Sequence, residues 1–246
     1  MKNLQRHLQD VANARRRELI PFVFSSTGAT VQTGPFAGMF IVPHFMWGDG
    51  DVVGKLLGVY EDELHEFVEH AINNKPDSVI NVGCAEGYYS VGFARRLPDT
   101  PVLAVDVEPA SAVIVNENAT NNSLSNVTAV TQLVDTAWLE STCSLLTNPL
   151  LIFDCEGAEL ALLDPVQVPA LKHCSILVEC HDCIIPNITQ DLIQRFSSTH
   201  KIQSADQTTK DAYQFEFLKG LSDCDKWALV HEGRPSTMTW LYMVPA

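Results

Sequence analysis

The segment LLIFDCEGAEL, residues 150–160, runs Leu150 to Phe153 straight into Asp154, Glu156 and Glu159, with Gly157 between the last two acids. A second apolar run, SILVECHD at 175–182, ends in Glu179, His181 and Asp182. Acids at the tip of a buried strand are desolvated, and their charge persists only where a cation, a donor hydroxyl or a cationic ligand compensates it. Imidazole adds a group that can be neutral near pH 7 and accept a proton. These types suit general-base chemistry, with His181 as the first candidate catalytic residue and Asp154 and Glu179 beside it. The same hard oxygens and imidazole, Asp154, Glu179 and His181 with Glu156 and Asp182 close by, can instead hold Mg²⁺ or a similar ion, or simply stay solvated. Glu159 has a plainer reading, as an acid favouring the positive end of a helix that begins near Gly157. Cys155, Cys180 and Cys183 also fall at these strand ends. With one C-x-x-C, in CHDC, and no second pair, ordinary buried thiols are expected rather than a zinc site or a soft-ion site.

Such side chains need strands that end together. From Lys75 onward the pattern alternates strands with helices: strands SVINVG (78–83), VLAVDV (102–107), VTAVTQLV (127–134), LLIFD (150–154) and SILVECHD, and helices at 87–97, 110–122 and 187–199. Continuous apolar strands joined by helices predict a parallel sheet covered on both faces. TWLYMVPA closes the chain as one more strand. In such a sheet, ligands bind outside the carboxyl ends of the strands. Residues 1–74 read as an N-terminal cap. A helix with a basic patch, Arg15 to Arg17, solvates one face and ends at Pro21; a hairpin or small sheet spans 22–42; a loop, HFMWGDGD, follows; and a helix covers 60–74. The division is therefore a cap at 1–74 and an α/β domain at 75–246, which carries the candidate catalytic residues.

The first strand runs into NVGCAEGYYS, where Gly83 and Gly87 bracket a turn into a helix and let the backbone approach a ligand. Asp106 ends the second strand, where an acid accepts hydrogen bonds from a ribose diol in nicotinamide enzymes and methyltransferases alike. Ala85 occupies the middle-glycine position of a dinucleotide motif, which favours a methyl donor over a pyrophosphate. With these motifs in place, the chain resembles the FkbM-type family of class I S-adenosylmethionine-dependent methyltransferases. DCEGAE is similar to that family's Asp-x-Glu-Gly-x-Glu signature, ILVECHD to its acid-plus-histidine segment, VINVGCAEGYYS to its first motif, and NENATNNSLSNVTAV to its Asn-rich helix and third strand. The likeness covers Ser78 to Asp182. It implies a Rossmann-like α/β three-layer sandwich whose seven-stranded sheet is parallel except for an antiparallel last strand. It implies S-adenosylmethionine as cofactor, contacted by Asn81, Gly83, Ala85, Glu86, Gly87, Asp106, Val107, Asp135 and Asp154. It also implies methyl transfer to a hydroxyl of a sugar or secondary metabolite. Asn81 replaces the acid common before the first glycine, and Ile152 stands where family members often carry Lys.

Composition bounds the alternatives. The chain has 246 residues, 46% hydrophobic, enough for one large α/β core. A net charge of −14 repels phosphate backbones, so nucleic acid is not expected as a partner. No run is long and apolar enough for a membrane span, and the first 20 residues are too polar for a signal peptide, so a soluble cytoplasmic protein with reduced thiols is expected. Substrate contacts are sought in the cap at His44 and Trp47, at the strand end at Glu156 and near the C-terminus at Arg234, although Trp47 can pack the loop and Arg234 can pair with surface acid. A nicotinamide-dependent oxidoreductase and a non-catalytic domain of the same fold are the competing readings.

Overall fold

The computed structural model describes residues 2–44 and 51–246. Strands β1 (Ser78–Val82), β2 (Val102–Asp106), β3 (Val127–Thr131), β4 (Pro149–Phe153), β5 (Ser175–Cys180), β6 (His200–Asp206) and β7 (Thr239–Pro245) form one sheet in the order β3-β2-β1-β4-β5-β7-β6. β7 runs antiparallel to both β5 and β6, while the other pairs are parallel. This is the Rossmann-like α/β architecture, a seven-stranded sheet parallel except for its last strand, that the resemblance implies. The order reverses at β1, which lies between β2 and β4, so a crevice opens at the carboxyl ends of those strands.

The period of two along each central strand splits the core in two. Val79, Leu150, Ile152, Leu177, Trp240 and Tyr242 face one side; Ile80, Val82, Leu151, Phe153, Val178 and Met243 face the other. Helices α1 (Lys2–Thr27), α2 (Val52–Leu57), α3 (His65–Asn73), α4 (Tyr88–Arg96) and α9 (Asp223–Val230) supply the first side. On the second lie α6 (Thr136–Cys143), α7 (Glu159–Leu162) and α8 (Ile188–Phe196). Helix α5 (Pro109–Asn121) packs on β2 and β3. Val23, Val31, Phe36, Leu56, Leu64 and Val68 of the N-terminal segment share one apolar cluster with the sheet.

Several expected elements differ. Helix α1 passes through Pro21 and continues to Thr27. Pro21 sits on the exposed side, and the buried stripe Ala12, Arg16, Leu19, Val23 and Thr27 runs past it, so packing outweighs the lost N–H. Consequently the expected hairpin at 22–42 starts inside a helix, and the rest forms turns closed by a single bridge between Thr30 and Phe40. Nor does the basic patch simply meet solvent. Arg16 is buried and donates to the Ala228 carbonyl at 2.6 Å, and Arg15 Nε donates to Asp225 at 2.7 Å, joining α1 to α9. The helix expected at 60–74 opens as a short 3₁₀ turn, Asp62–Leu64, before α3. β3 ends at Thr131, so Gln132 to Val134 lie beyond it.

Candidate active site

A cavity of about 620 Å³ lies over the carboxyl ends of β1, β2, β4 and β5, lined by Gly83, Asp106, Val107, Asp154, Glu179 and His181 among others. Gly83 has φ +78°, and a Cβ there would lie 1.7 Å from the Asp154 carbonyl oxygen. The β1 and β4 ends therefore meet backbone to backbone. Gly87, at φ +85°, opens α4 where a Cβ would press on Val115. Asp106 is buried; its carboxylate accepts from the Ala85 N–H at 2.9 Å and the Glu108 N–H at 2.9 Å. Those bonds hold the turn, with Ala85 itself at φ +46°, and leave further lone pairs on the carboxylate. Val107 and Leu133 are exposed apolar side chains that both line the cavity.

Four expected cofactor or substrate residues are turned elsewhere. Asn81 shares its strand face with Val79, under α4, and donates to Ser90 Oγ at 3.0 Å. Glu86 is buried in an ion pair with Lys55, which also meets Asp51 at 2.7 Å. Burial opposes the Lys55 charge, but the two acids outweigh it and raise its pKa. Asp135 caps α6, accepting from the Trp138 N–H at 2.7 Å. His44 lies 3.4 Å from Glu117 on α5. Trp47 falls outside the described residues, as does most of the HFMWGDGD loop.

The acids of the second paired strand ends do converge, around His181. Its Nδ1 lies 2.9 Å from Glu159 Oε1, and that oxygen also accepts from the Cys155 N–H at 2.8 Å. Its Nε2 faces Asp154 Oδ1, Glu156 Oε2 and Glu179 Oε2, each at 3.6 Å. Burial alone would lower the His181 pKa, but Glu159, Asp154 and Glu156 outweigh it and raise it. Burial also raises the carboxyl pKa of Asp154, and it raises that of Glu179 well above the usual range, helped by Asp154 and Glu61. Glu156 reaches the cluster from an exposed turn in which it holds φ +52° and Gly157 φ +100°. Left-handed backbone at a glutamate costs about 1–2 kcal/mol, and the turn packs over Ile184 of the β5–α8 loop.

Arg234 closes the other side of the cavity. It donates to Glu179 and Glu61, and through Nε to Glu232 at 2.8 Å. Its partners are buried acids rather than the surface acids expected. Burial pushes the Glu61 carboxyl up to about 7 despite Arg234. Glu61 and Glu232 were not legible as site residues, since they come from a turn with φ +48° and from the loop after α9. Gln132 to Val134, also lining the cavity, were obscured by the longer third strand read from the sequence.

The thiols do not converge. Cys180 faces the core below the sheet and is pushed up to about 12 by burial, Cys155 contacts the Val82 carbonyl at 3.5 Å, and Cys183 lies against Met238.

No family model matches the chain, and no curated protein matches it. Solved structures do resemble it in chain path. Coclaurine N-methyltransferase bound to N-methylheliamine and SAH is 13% identical with TM-score 0.48, covering 100% of this chain and 94% of that one. The O-methyltransferase TomG of Streptomyces achromogenes, in complex with SAM, is 11% identical with TM-score 0.47, covering 73% and 78%. An rRNA methylase from Streptococcus thermophilus is 10% identical with TM-score 0.47, covering 74% and 94%.

Proposed function

We propose that the protein is an S-adenosylmethionine-dependent methyltransferase of FkbM-like character, acting on a hydroxyl of a small molecule. The observation that carries this reading is the buried Asp106 carboxylate, fixed by two backbone N–H groups beside the Gly83 turn and lining a cavity at the switch point of the sheet. A ribose diol would donate to its free lone pairs, and the nucleobase would lie in the slot flanked by Val107 and Leu133. The sulfonium would then lie toward Asp154, whose negative charge suits it.

Methyl transfer is an in-line displacement. The acceptor oxygen forms a bond to the methyl carbon, the carbon–sulfur bond breaks, and its electron pair returns to sulfur as a neutral thioether. The hydroxyl proton passes to the carboxylate–imidazole cluster of Asp154 and His181, and alignment of oxygen and methyl supplies most of the rate. Arg234, held by three acids, shapes the acceptor side rather than reaching for a substrate carboxylate.

Calorimetric titration of the full chain with S-adenosylmethionine and S-adenosylhomocysteine tests the cofactor, with NAD and the Asp106→Ala variant as controls. Micromolar binding of both sulfur nucleosides, lost in the variant, is expected. Binding of NAD alone would replace this reading with the oxidoreductase, and binding of none of the three with an inert scaffold.

A further inference from the structure

The geometry points to a divalent-cation site formed by Asp154, Glu156 and His181, of the Mg²⁺ or Mn²⁺ class, in which the ion presents open positions to the acceptor oxygen. Its catalytic role rests on the methyltransferase reading, with Asp154 and His181 then acting through the ion, which would lower the acceptor's pKa, instead of taking the proton directly; its existence does not.

Three features carry it. The first is spacing. One ligand atom from each of Asp154, Glu156 and His181 lies within 4.8 Å of the others. An ion bonded at about 2.2 Å sets neighbouring ligand atoms about 3 Å apart at right angles and about 4.4 Å when opposite. The 3.6 Å separations from His181 Nε2 to Asp154 and Glu156 fall inside that range.

The second is the ring itself. His181 is 4% exposed, and its Nε2 closes on none of the three carboxylates around it, each 3.6 Å away. A protonated Nε2 seeking one partner would approach to about 2.8 Å. Equal, longer distances to several acids describe atoms arranged about a centre. In the tautomer whose Nδ1–H donates to Glu159, the Nε2 lone pair points at that centre, where a cation would meet it together with the Asp154 and Glu156 oxygens.

The third is the support behind the ring. Glu159 is fully buried, orients His181 through Oε1, and keeps Oε2 without a hydrogen-bond partner. A carboxylate behind a ligating imidazole fixes its tautomer and raises its basicity. Glu179 is not assigned as a ligand, because Arg234 already neutralises it, so Glu156 takes the place the sequence suggested for Glu179. One imidazole and two carboxylates make a hard set without thiolate, which suits Mg²⁺ or Mn²⁺ and leaves about three positions for water and acceptor.

The test is a Mn²⁺ titration of chelator-treated full-length protein, followed by the loss of the free-ion electron paramagnetic resonance signal and repeated with Mg²⁺ as competitor. Glu156→Gln is the informative variant, because its exposed turn tolerates the change; Glu216→Gln, an exposed acid far from the cluster, is the control. One Mn²⁺ per chain is expected, displaced by Mg²⁺, with affinity at least tenfold weaker in Glu156→Gln and unchanged in Glu216→Gln. Equal affinity in wild type and Glu156→Gln, or no saturable binding, would overturn the site. A parallel titration with S-adenosylhomocysteine separates the two ideas. Mn²⁺ binding that depends on Glu156 without nucleoside binding keeps the cation site and removes the methyltransferase reading; the reverse outcome does the opposite.

Discussion

Gly83 and Asp154 touch through their backbones: a Cβ on the glycine would lie 1.7 Å from the aspartate's carbonyl oxygen. This contact joins the ends of β1 and β4, so the Asp106 side and the His181 side of the cavity are fixed relative to each other. Gly83→Ala must push the strand ends apart while forcing alanine to φ +78°. We expect a loss of about 3 kcal/mol or more in denaturant unfolding, with nucleoside binding weakened at least tenfold in whatever fraction folds. A variant with wild-type stability and binding would show that the strand ends can separate freely.

Pro21 makes the opposite prediction. It is exposed in the interior of α1 and lacks the N–H that would bond the Arg17 carbonyl. Pro21→Ala restores that donor without disturbing the buried stripe. Stability should rise by about 1 kcal/mol or more, read as a higher urea midpoint at unchanged slope. A fall in midpoint would mean that proline limits the unfolded chain more than it weakens the helix.

The same residue marks the limit of what the sequence makes legible. The parallel strands were readable because each is a short apolar run bounded by turn residues, and their carboxyl ends located the acids around His181. Proline, by contrast, is a local signal, and the apolar spacing of Leu19 and Val23 across it belongs to tertiary packing that local rules miss. β6 was missed because KIQSAD is half polar: it is an edge strand paired only with β7. Asn81 and Asp135 were chosen by motif position, yet strand alternation turns the first under α4 and the second serves as a helix cap. Glu61 and Glu232 come from segments remote in sequence, and only the fold brings them to Arg234.

His231 should make stability depend on pH. Its ring stacks on Trp227 of α9 at 4.4 Å, faces Arg16 of α1, and neighbours Glu232. Burial, then Arg16, push its pKa down to about 4, with Glu232 opposing. Between there and the ordinary value of 6.5 the unfolded chain holds a proton that the folded chain refuses. Stability therefore rises with pH across this window and is lost as pH falls from 6.5 toward 4. The ring is half-buried, so screening limits the effect to about 1 kcal/mol, or about 2–4 °C in Tm for a chain of this size. Comparing Tm of wild type and His231→Gln at pH 7 and pH 4.5 isolates it: the wild type should lose more. Parallel losses in both proteins would assign the acid sensitivity to other groups.

Arg234 holds together acids that cannot otherwise share one buried space. Its side chain is 14% exposed, and Glu61, Glu179 and Glu232 are 0%, 2% and 3% exposed. Removing the cation leaves the Glu61 and Glu179 carboxylates uncompensated in a medium that screens poorly, while Glu232 keeps Lys210 at 3.3 Å, and a broken buried pair costs about 3–5 kcal/mol. Arg234→Met should therefore be among the most destabilising single changes near the cavity. Because the cost comes from uncompensated charge rather than lost packing, Arg234→Met combined with Glu61→Gln should recover at least about 1 kcal/mol relative to the sum of the single variants, measured by urea unfolding in a double-mutant cycle. Strict additivity would mean that Arg234 acts through the space it fills, and the ion pairs would then contribute little to holding the loop after α9 against the cavity.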